Sequence, residues 1–157
     1  MAEIVRANTD ELIAEAKKLF LEYAESLGFD LCFQNFDTEL DSFPVQYSPP
    51  RGDLFLALSE GQPIGCVGVR FFEEGTCETK RLYVKPNFRG NNAGTELSKA
   101  AIKAGKALGY ERMRLDTLPS MEIANRLYKS LGFVEIEPYR HNPLEGAIYL
   151  ELNLTRL

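Results

Sequence analysis

Arg89, Gly90, Asn91, Asn92, Ala93, Gly94 and Thr95 set a guanidinium beside a run of small residues, directly ahead of a segment with helical periodicity. A turn of this kind feeding a helix exposes unpaired backbone N–H groups at the positive end of the helix dipole, where phosphate binds. Arg89 can add a bidentate charge at the same place. Two nucleotide-binding patterns fail on spacing: no lysine follows Gly94, as a Walker loop requires, and Gly-x-Gly-x-x-Gly is absent. Because many glycine-containing strand-to-helix turns bind nothing, the turn alone leaves an anion seat and a plain connection both open.

Other reactive residues are few. His141, the single histidine, is of the residue type whose ordinary pKa would suit a base near neutral pH, and it lies among Pro and Asn residues, where a base and a surface residue are both admissible. Cys32, Cys66 and Cys77 form no C-x-x-C pair, so with one histidine no metal site is expected and the thiols read as reduced.

Positioning the turn requires a strand before it and a helix after it. Thr79, Arg81 and Tyr83 alternate with Lys80, Leu82 and Val84, the period of a strand, and Pro86 ends it. This alternation predicts that Glu78 shares a face with Lys80, Leu82 and Val84, and that Cys77 points the other way, away from any role as nucleophile. From Thr95, Leu97, Ala100, Ala101, Ala104 and Leu108 recur at helical spacing, with Gly109 as the stop.

Upstream, Glu3 to Ala7 reads as an edge strand. A helix follows, capped by Asn8 or Thr9, with Leu12, Ile13, Ala16, Leu19, Phe20, Tyr23, Ala24 and Leu27 on one face and Gly28 as the stop. Phe29 to Arg51 is aperiodic, acidic and aromatic, and two roles are open for it: drawing in a cationic substrate, or packing on the core as a solvated loop. Asp53 to Ser59, Ile64 to Phe72 and the strand ending at Val84 form a meander. Downstream come a strand from Arg112 to Thr117 and a helix capped by Ser120, with Ile123, Ala124, Leu127 and Leu131 as its core stripe. Strands from Phe133 to Ile136 and Ala147 to Asn153 complete the chain. Ile148, Leu150, Leu152 and Leu154 present one apolar face, to be buried internally or in a homodimer.

With 157 residues and 45% hydrophobic content, the chain suits one domain spanning 1–157. A net charge of −5 argues against a general nucleic-acid binder. The absence of an apolar signal core or membrane-length segment implies a soluble, cytoplasmic protein.

Leu82-Tyr83-Val84-x-Pro86-x-x-Arg89-Gly90-x-x-Ala93-Gly94 resembles the pyrophosphate motif of the GNAT superfamily of acyl-CoA-dependent N-acetyltransferases, with Asn92 where glycine is usual. Asparagine tolerates positive φ and keeps its N–H. Ala124-Asn125-Arg126-Leu127-Tyr128-Lys129-Ser130-Leu131-Gly132-Phe133 is similar to a second GNAT motif, in the expected order. The resemblance implies an α/β (α+β) fold: a mixed, twisted sheet of six to seven strands with a splayed central pair, flanked by three to four helices. It also implies acetyl-CoA as cosubstrate and no metal. The pantetheine arm would meet the backbone around Leu82, Tyr83 and Val84, the pyrophosphate would sit on Arg89 to Thr95, and Asn125 and Tyr128 would lie beside the coenzyme.

On the same resemblance, Tyr128 would protonate the departing thiolate; packing at the helix end is its alternative role. Glu78 would take the acceptor's proton, directly or through water, and a solvated charge is the alternative there. Tyr47, Arg51, Arg140 and His141 are candidates for acceptor binding, the two arginines for holding a carboxylate. The implied activity is direct acetyl transfer to a primary amine of a small metabolite or amino-acid-like acceptor. Other readings are a protein or peptide acceptor, a non-catalytic acyl-CoA sensor, and, disfavoured by the missing lysine, a nucleotide-binding regulatory domain.

Overall fold

Alternation within Asp53–Ser59 sends Leu54 and Leu56 to one face and Phe55 and Ala57 to the other, and all four are buried. A strand apolar on both sides must be covered on both sides. The computed structural model, which describes residues 2–27, 36–90, 92–140 and 146–157, supplies both covers. Seven strands, β1 (Glu3–Arg6), β2 (Asp53–Ser59), β3 (Gln62–Glu73), β4 (Thr76–Val84), β5 (Arg112–Thr117), β6 (Val134–Ile136) and β7 (Ile148–Asn153), form one sheet in the order β1-β2-β3-β4-β5-β7-β6. Helix α1 (Asp10–Leu27) packs Ala16, Leu19 and Phe20 against Leu54, Leu56 and Cys66. Helix α3 (Ala93–Ala107) packs Leu97, Ala101 and Ala104 on the opposite face, against Ile64, Val69 and Met113.

The expected helix and strand pattern holds, with local corrections. Thr9 caps α1 through Oγ1, which accepts from the Leu12 N–H at 3.2 Å; the expected stop at Gly28 lies outside the described residues. Helix α3 starts at Ala93 rather than Thr95, because Asn92 takes a left-handed conformation (φ 70°) that ends the turn and frees the chain to coil. Helix α4 (Glu122–Ser130) starts with Met121, not Ser120, at the cap. The segment expected to be aperiodic contains α2 (Phe36–Asp41) and a one-turn 3-10 helix, Val45–Tyr47. Six residues are too few for a helical period to register. The C-terminal apolar face is internal, with Leu150, Leu152 and Leu154 all in the α3-side core. Among the described residues no helix is long and apolar enough to cross a membrane.

The pairing of β3 with β4 is irregular. Its register slips between Cys66, opposite Tyr83, and Gly68, opposite Lys80, so β4 carries one extra residue. Arg81, inside this bulge, has φ 62°. The bulge flips the alternation: Leu82 and Val84 join the α3-side core with Cys77, while Tyr83 joins the α1 side. The expectation that Glu78 and Lys80 share a face with Leu82 and Val84 is therefore overturned.

A positive φ at a bulky residue costs on the order of 1–3 kcal/mol and persists only where the surroundings fix it. Here Glu39 of α2, fully buried, accepts from Arg81 Nε at 3.2 Å and Nη2 at 3.0 Å. Removing one member of a buried, hydrogen-bonded ion pair leaves the other uncompensated. Glu39→Ala should lower the unfolding free energy by about 3–5 kcal/mol, read as a lower urea midpoint at unchanged slope; a loss below about 1 kcal/mol would mean that the bulge is held by something else.

Candidate active site

Strands β4 and β5 run parallel and pair only from Thr76–Glu78 against Arg112–Arg114. Beyond that they separate, although β4 continues to Val84 and β5 to Thr117. A cleft of about 690 Å³ opens at the end of β4. One wall is Leu82, Tyr83 and Val84; its floor is the turn and helix start at Arg89, Gly90, Asn92, Ala93, Gly94 and Thr95. All of these residues were expected to face the coenzyme, and the fold brings them together. Asn91 lies outside the described residues.

Helix α4 forms the facing wall. Its apolar stripe was expected in the core, yet none of its nine residues is fully buried, Tyr128 being partly so. Ile123 is 78% exposed, and together with Ala124 and Leu127 it borders the cleft, while Leu131 packs on the core. The stripe turns toward the opening because β5 has already diverged from β4, leaving no sheet beneath it. An apolar wall facing a cleft favours an apolar ligand segment.

The floor suits an anion. The first hydrogen bond at the start of α3 runs from Glu96 N–H to the Asn92 carbonyl at 3.0 Å, which leaves the N–H groups of Gly94 and Thr95 outside the helix ladder. Gly90 is left-handed (φ 91°), and no atom lies within 4 Å of where a Cβ would stand. Arg89 is exposed and donates from Nε to the Val84 carbonyl at 2.9 Å. A pyrophosphate attached to an apolar arm fits this combination of floor and walls.

Asn125 and Tyr128 lie on α4 but outside the residues that line the cleft. The Asn125 amide donates to the Leu118 carbonyl at 2.9 Å and accepts from Thr117 Oγ1 at 2.8 Å, fixing α4 to the end of β5. Tyr128 packs its ring against Phe133 with centroids 5.7 Å apart. Burial, with Tyr23 and Asp116 nearby, pushes its phenol well above the usual range, so it stays protonated at neutral pH.

On the α1 side of the divergence lies a network of charges. Glu78 Oε1 accepts from Arg70 Nε at 3.1 Å, and Oε2 accepts from Tyr139 at 2.9 Å and from Arg140 Nη2. Arg70 also reaches Glu39. Lys80 Nζ donates to Asp116 Oδ1 at 3.2 Å, across the gap between β4 and β5. Phe72 and Tyr139, edge to face at 5.0 Å, both have the guanidiniums of Arg114 and Arg140 at 5.2–5.9 Å from their ring centroids.

Burial works to raise the Glu78 carboxyl, but Lys80, Arg70 and Arg140 overcome it and hold the group down at about 2. Such a carboxylate is a weak Brønsted base near neutrality, which counts against the base role expected for it. Tyr47 is 2% exposed, packed against Phe20 and directly beneath Gly68, where a Cβ would come within 2.4 Å of its ring; it is a core residue. Arg51 and Arg140 do not converge. Arg51 lies over Phe71 at 4.2 Å and Arg140 over Phe72 at 5.9 Å, and successive strand residues point to opposite faces. His141 lies outside the described residues. Cys77 is buried on the α3 side, and burial pushes its thiol up to about 12, which fits the expectation that it is no nucleophile.

Sequence reasoning missed Glu39, Arg70, Lys80, Asp116 and Tyr139. The available signal was three charged residues, Glu78, Lys80 and Arg81, inside a strand that must be central to the sheet. Charges in a covered strand must find partners.

The model of the acetyltransferase (GNAT) family matches residues 13–133. An uncharacterized N-acetyltransferase of Schizosaccharomyces pombe is 45% identical over 89% of this chain and 87% of its own length. The N-acetylaspartate synthetase of Danio rerio is 31% identical over 69% of this chain and 39% of that longer protein. An acetyltransferase from Salmonella typhimurium, solved with its cofactor acetyl-CoA, superposes with a TM-score of 0.73 at 17% identity, covering 98% of this chain and 94% of its own. With a family match over residues 13–133 and a relative 45% identical over 89% of its length, the chain belongs to the GNAT family of acyl-CoA-dependent N-acetyltransferases.

Proposed function

We propose that the protein moves the acetyl group of acetyl-CoA directly to the primary amine of a small, amino-acid-like acceptor that carries a carboxylate. One observation supports the acceptor class above others. Among the described residues, the network beside the divergence sets Arg70 and Arg140 on the two oxygens of Glu78, and the two arginines keep 15% and 18% of their side chains exposed against 1% for the carboxylate. Accessible cationic charge favours an anionic ligand and disfavours a polyamine. The acidic segment before Arg51, which by its sequence could draw in a cation, contributes Glu39, and that carboxylate is already engaged by Arg81 and Arg70. The similarity to a protein named for making N-acetylaspartate supports the same class.

In this reading Leu82 to Val84 and the apolar face of α4 hold the pantetheine arm, and the start of α3 with Arg89 holds the pyrophosphate. Glu78 serves as a fixed counter-charge that orients Arg70 and Arg140, and Arg140 binds the acceptor's carboxylate. Tyr128 gives its proton to the departing thiolate. A non-catalytic sensor would use the cleft but have no need of that phenol.

Free-thiol release from acetyl-CoA, measured against amino acids, polyamines, aminoglycosides and short peptides, tests the acceptor class. Aspartate, glutamate or a similar anionic amino acid should turn over and polyamines should not; the reverse order would remove the proposed class. Arg140→Gln should raise the acceptor KM by roughly tenfold or more, the order expected for losing a charged hydrogen bond, and leave acetyl-CoA affinity unchanged. Tyr128→Phe should bind acetyl-CoA normally by calorimetry yet lower kcat by roughly 10²- to 10⁴-fold; an unchanged kcat would remove its role as acid.

A further inference from the structure

A primary amine reaches an enzyme at neutral pH as an ammonium, with a reference value near 10, and has no lone pair until a base removes a proton. Glu78 is held ionised at about 2, too weakly basic for that task. We propose that Lys80 is the base that takes the acceptor's proton before the amine attacks the thioester, an inference that rests on the transferase function proposed for the cleft.

Position carries the inference. Backbone pairing of β4 with β5 ends at Glu78 opposite Arg114. Two residues further on, on the same face, Lys80 and Asp116 meet across the gap at 3.2 Å with side chains 3% and 4% exposed. Tyr23, which lines the coenzyme cleft, and Tyr128 on α4 both lie within electrostatic reach of Asp116. The lysine thus stands where the two strands part, paired with Asp116 across the gap.

Among the described residues, charged groups from β3, β4 and β5 face it. Asp116 of β5 and Glu78 of β4 favour the ammonium, while Arg81 of β4 and Arg70 of β3 oppose it. Behind them stand Glu39 of α2, paired with Arg81 and Arg70, and Tyr139 and Arg140, both bonded to Glu78. Burial is the largest influence, and it pulls Lys80 down to about 8. An amine in that range is neutral in useful proportion at mildly alkaline pH and remains basic enough to accept a proton. An incoming ammonium nearby disfavours the charged lysine further.

Protons balance along this route. The neutral Lys80 Nζ accepts one proton from the acceptor's ammonium, and the freed lone pair forms the C–N bond at the thioester carbonyl. As the C–S bond breaks, sulfur takes the Tyr128 proton. The second proton lost by the acetylated nitrogen restores the phenol, and the proton on Lys80 passes to solvent. One proton is released per turnover, as acetylation of an ammonium requires.

The test measures kcat against pH for the wild type and Lys80→Arg, with acetyl-CoA and whichever amine of the amino acid, polyamine, aminoglycoside and peptide panel turns over fastest. Arginine keeps the charge opposite Asp116 but does not titrate in the working range. In the wild type kcat should rise through an inflection at or below the free protein's value of about 8; in Lys80→Arg it should fall roughly 10²- to 10⁴-fold and lose that inflection, with acetyl-CoA affinity intact. A variant retaining wild-type kcat and inflection overturns the inference. Asp116→Asn removes a charge that favours the ammonium, so the inflection should move to lower pH; an inflection that stays in place overturns the inference even if Lys80→Arg fails to fold. Lysine side-chain NMR gives a readout independent of turnover: the Lys80 signal should titrate near 8 in the free protein, and titration at the ordinary 10.5 speaks against the role. Absence of amine-dependent thiol release in the wild type removes the transferase function and this inference together. Release that Lys80→Arg leaves unchanged removes this inference alone.

Discussion

Parallel strands β4 and β5 share hydrogen bonds over three residues each and then separate while both chains continue extended. Two adjacent strands in the middle of a sheet would ordinarily zip to their ends, because backbone N–H and C=O groups left unpaired away from water are costly. Something must hold them apart. On β4 the extra residue at Arg81 changes the strand's direction and is pinned from α2 by Glu39. At the end of β5, Asn125 bonds to Thr117 and Leu118 and sets α4 close behind the strand. Between them Lys80 and Asp116 bridge the gap with a charge pair in place of a backbone ladder. The coenzyme cleft, the exposure of the apolar face of α4 and the position of the charged network all follow from this divergence.

The network is not explained by stability. Burying an ion pair costs desolvation that its attraction only partly returns, and well-packed apolar residues do as well or better. A sheet already covered by two cores, with Phe20, Leu54 and Leu56 on one face and Leu97, Met113 and Leu150 on the other, does not need seven charged side chains to hold together. Their geometry is more informative. Each carboxylate oxygen of Glu78 is assigned to a different strand or loop, Arg70 to one and Arg140 with Tyr139 to the other. Such a network fixes orientation, which a site for a small charged acceptor requires.

Much of this was legible in the residues and some was not. The strands, α1 and α3 announced themselves through periodicity, and the turn that lines the floor of the cleft was readable because it is local: Arg89 to Thr95 are consecutive, and a turn into a helix has one geometry wherever it occurs. The acceptor side is non-local. Glu39 and Arg81 are distant in sequence, and so are Glu78 and Arg140, so no spacing links them. The bulge was invisible for a different reason: a one-residue slip depends on the partner strand, and alternation read along β4 alone assigned Leu82 and Val84 to the wrong face. Helix α4 misled because an amphipathic stripe states that a face is apolar and does not state what covers it.

Burial has opposite consequences for the two groups placed on either side of the divergence. Removing water disfavours whichever form of a group is charged, so it raises a phenol and lowers an ammonium. Tyr128 is held as a neutral phenol, and Lys80 is drawn to about 8, toward its neutral amine. One physical cause thus acts on both groups in the directions that the proposed acid and base require. Glu78, which burial would have raised toward a useful basicity, is instead pinned low by the cations around it. The pairing that unfits Glu78 for proton transfer also holds Arg70 and Arg140 in place, so the proposed mechanism gives orientation to Glu78 and proton removal to Lys80, neighbours on one face of β4.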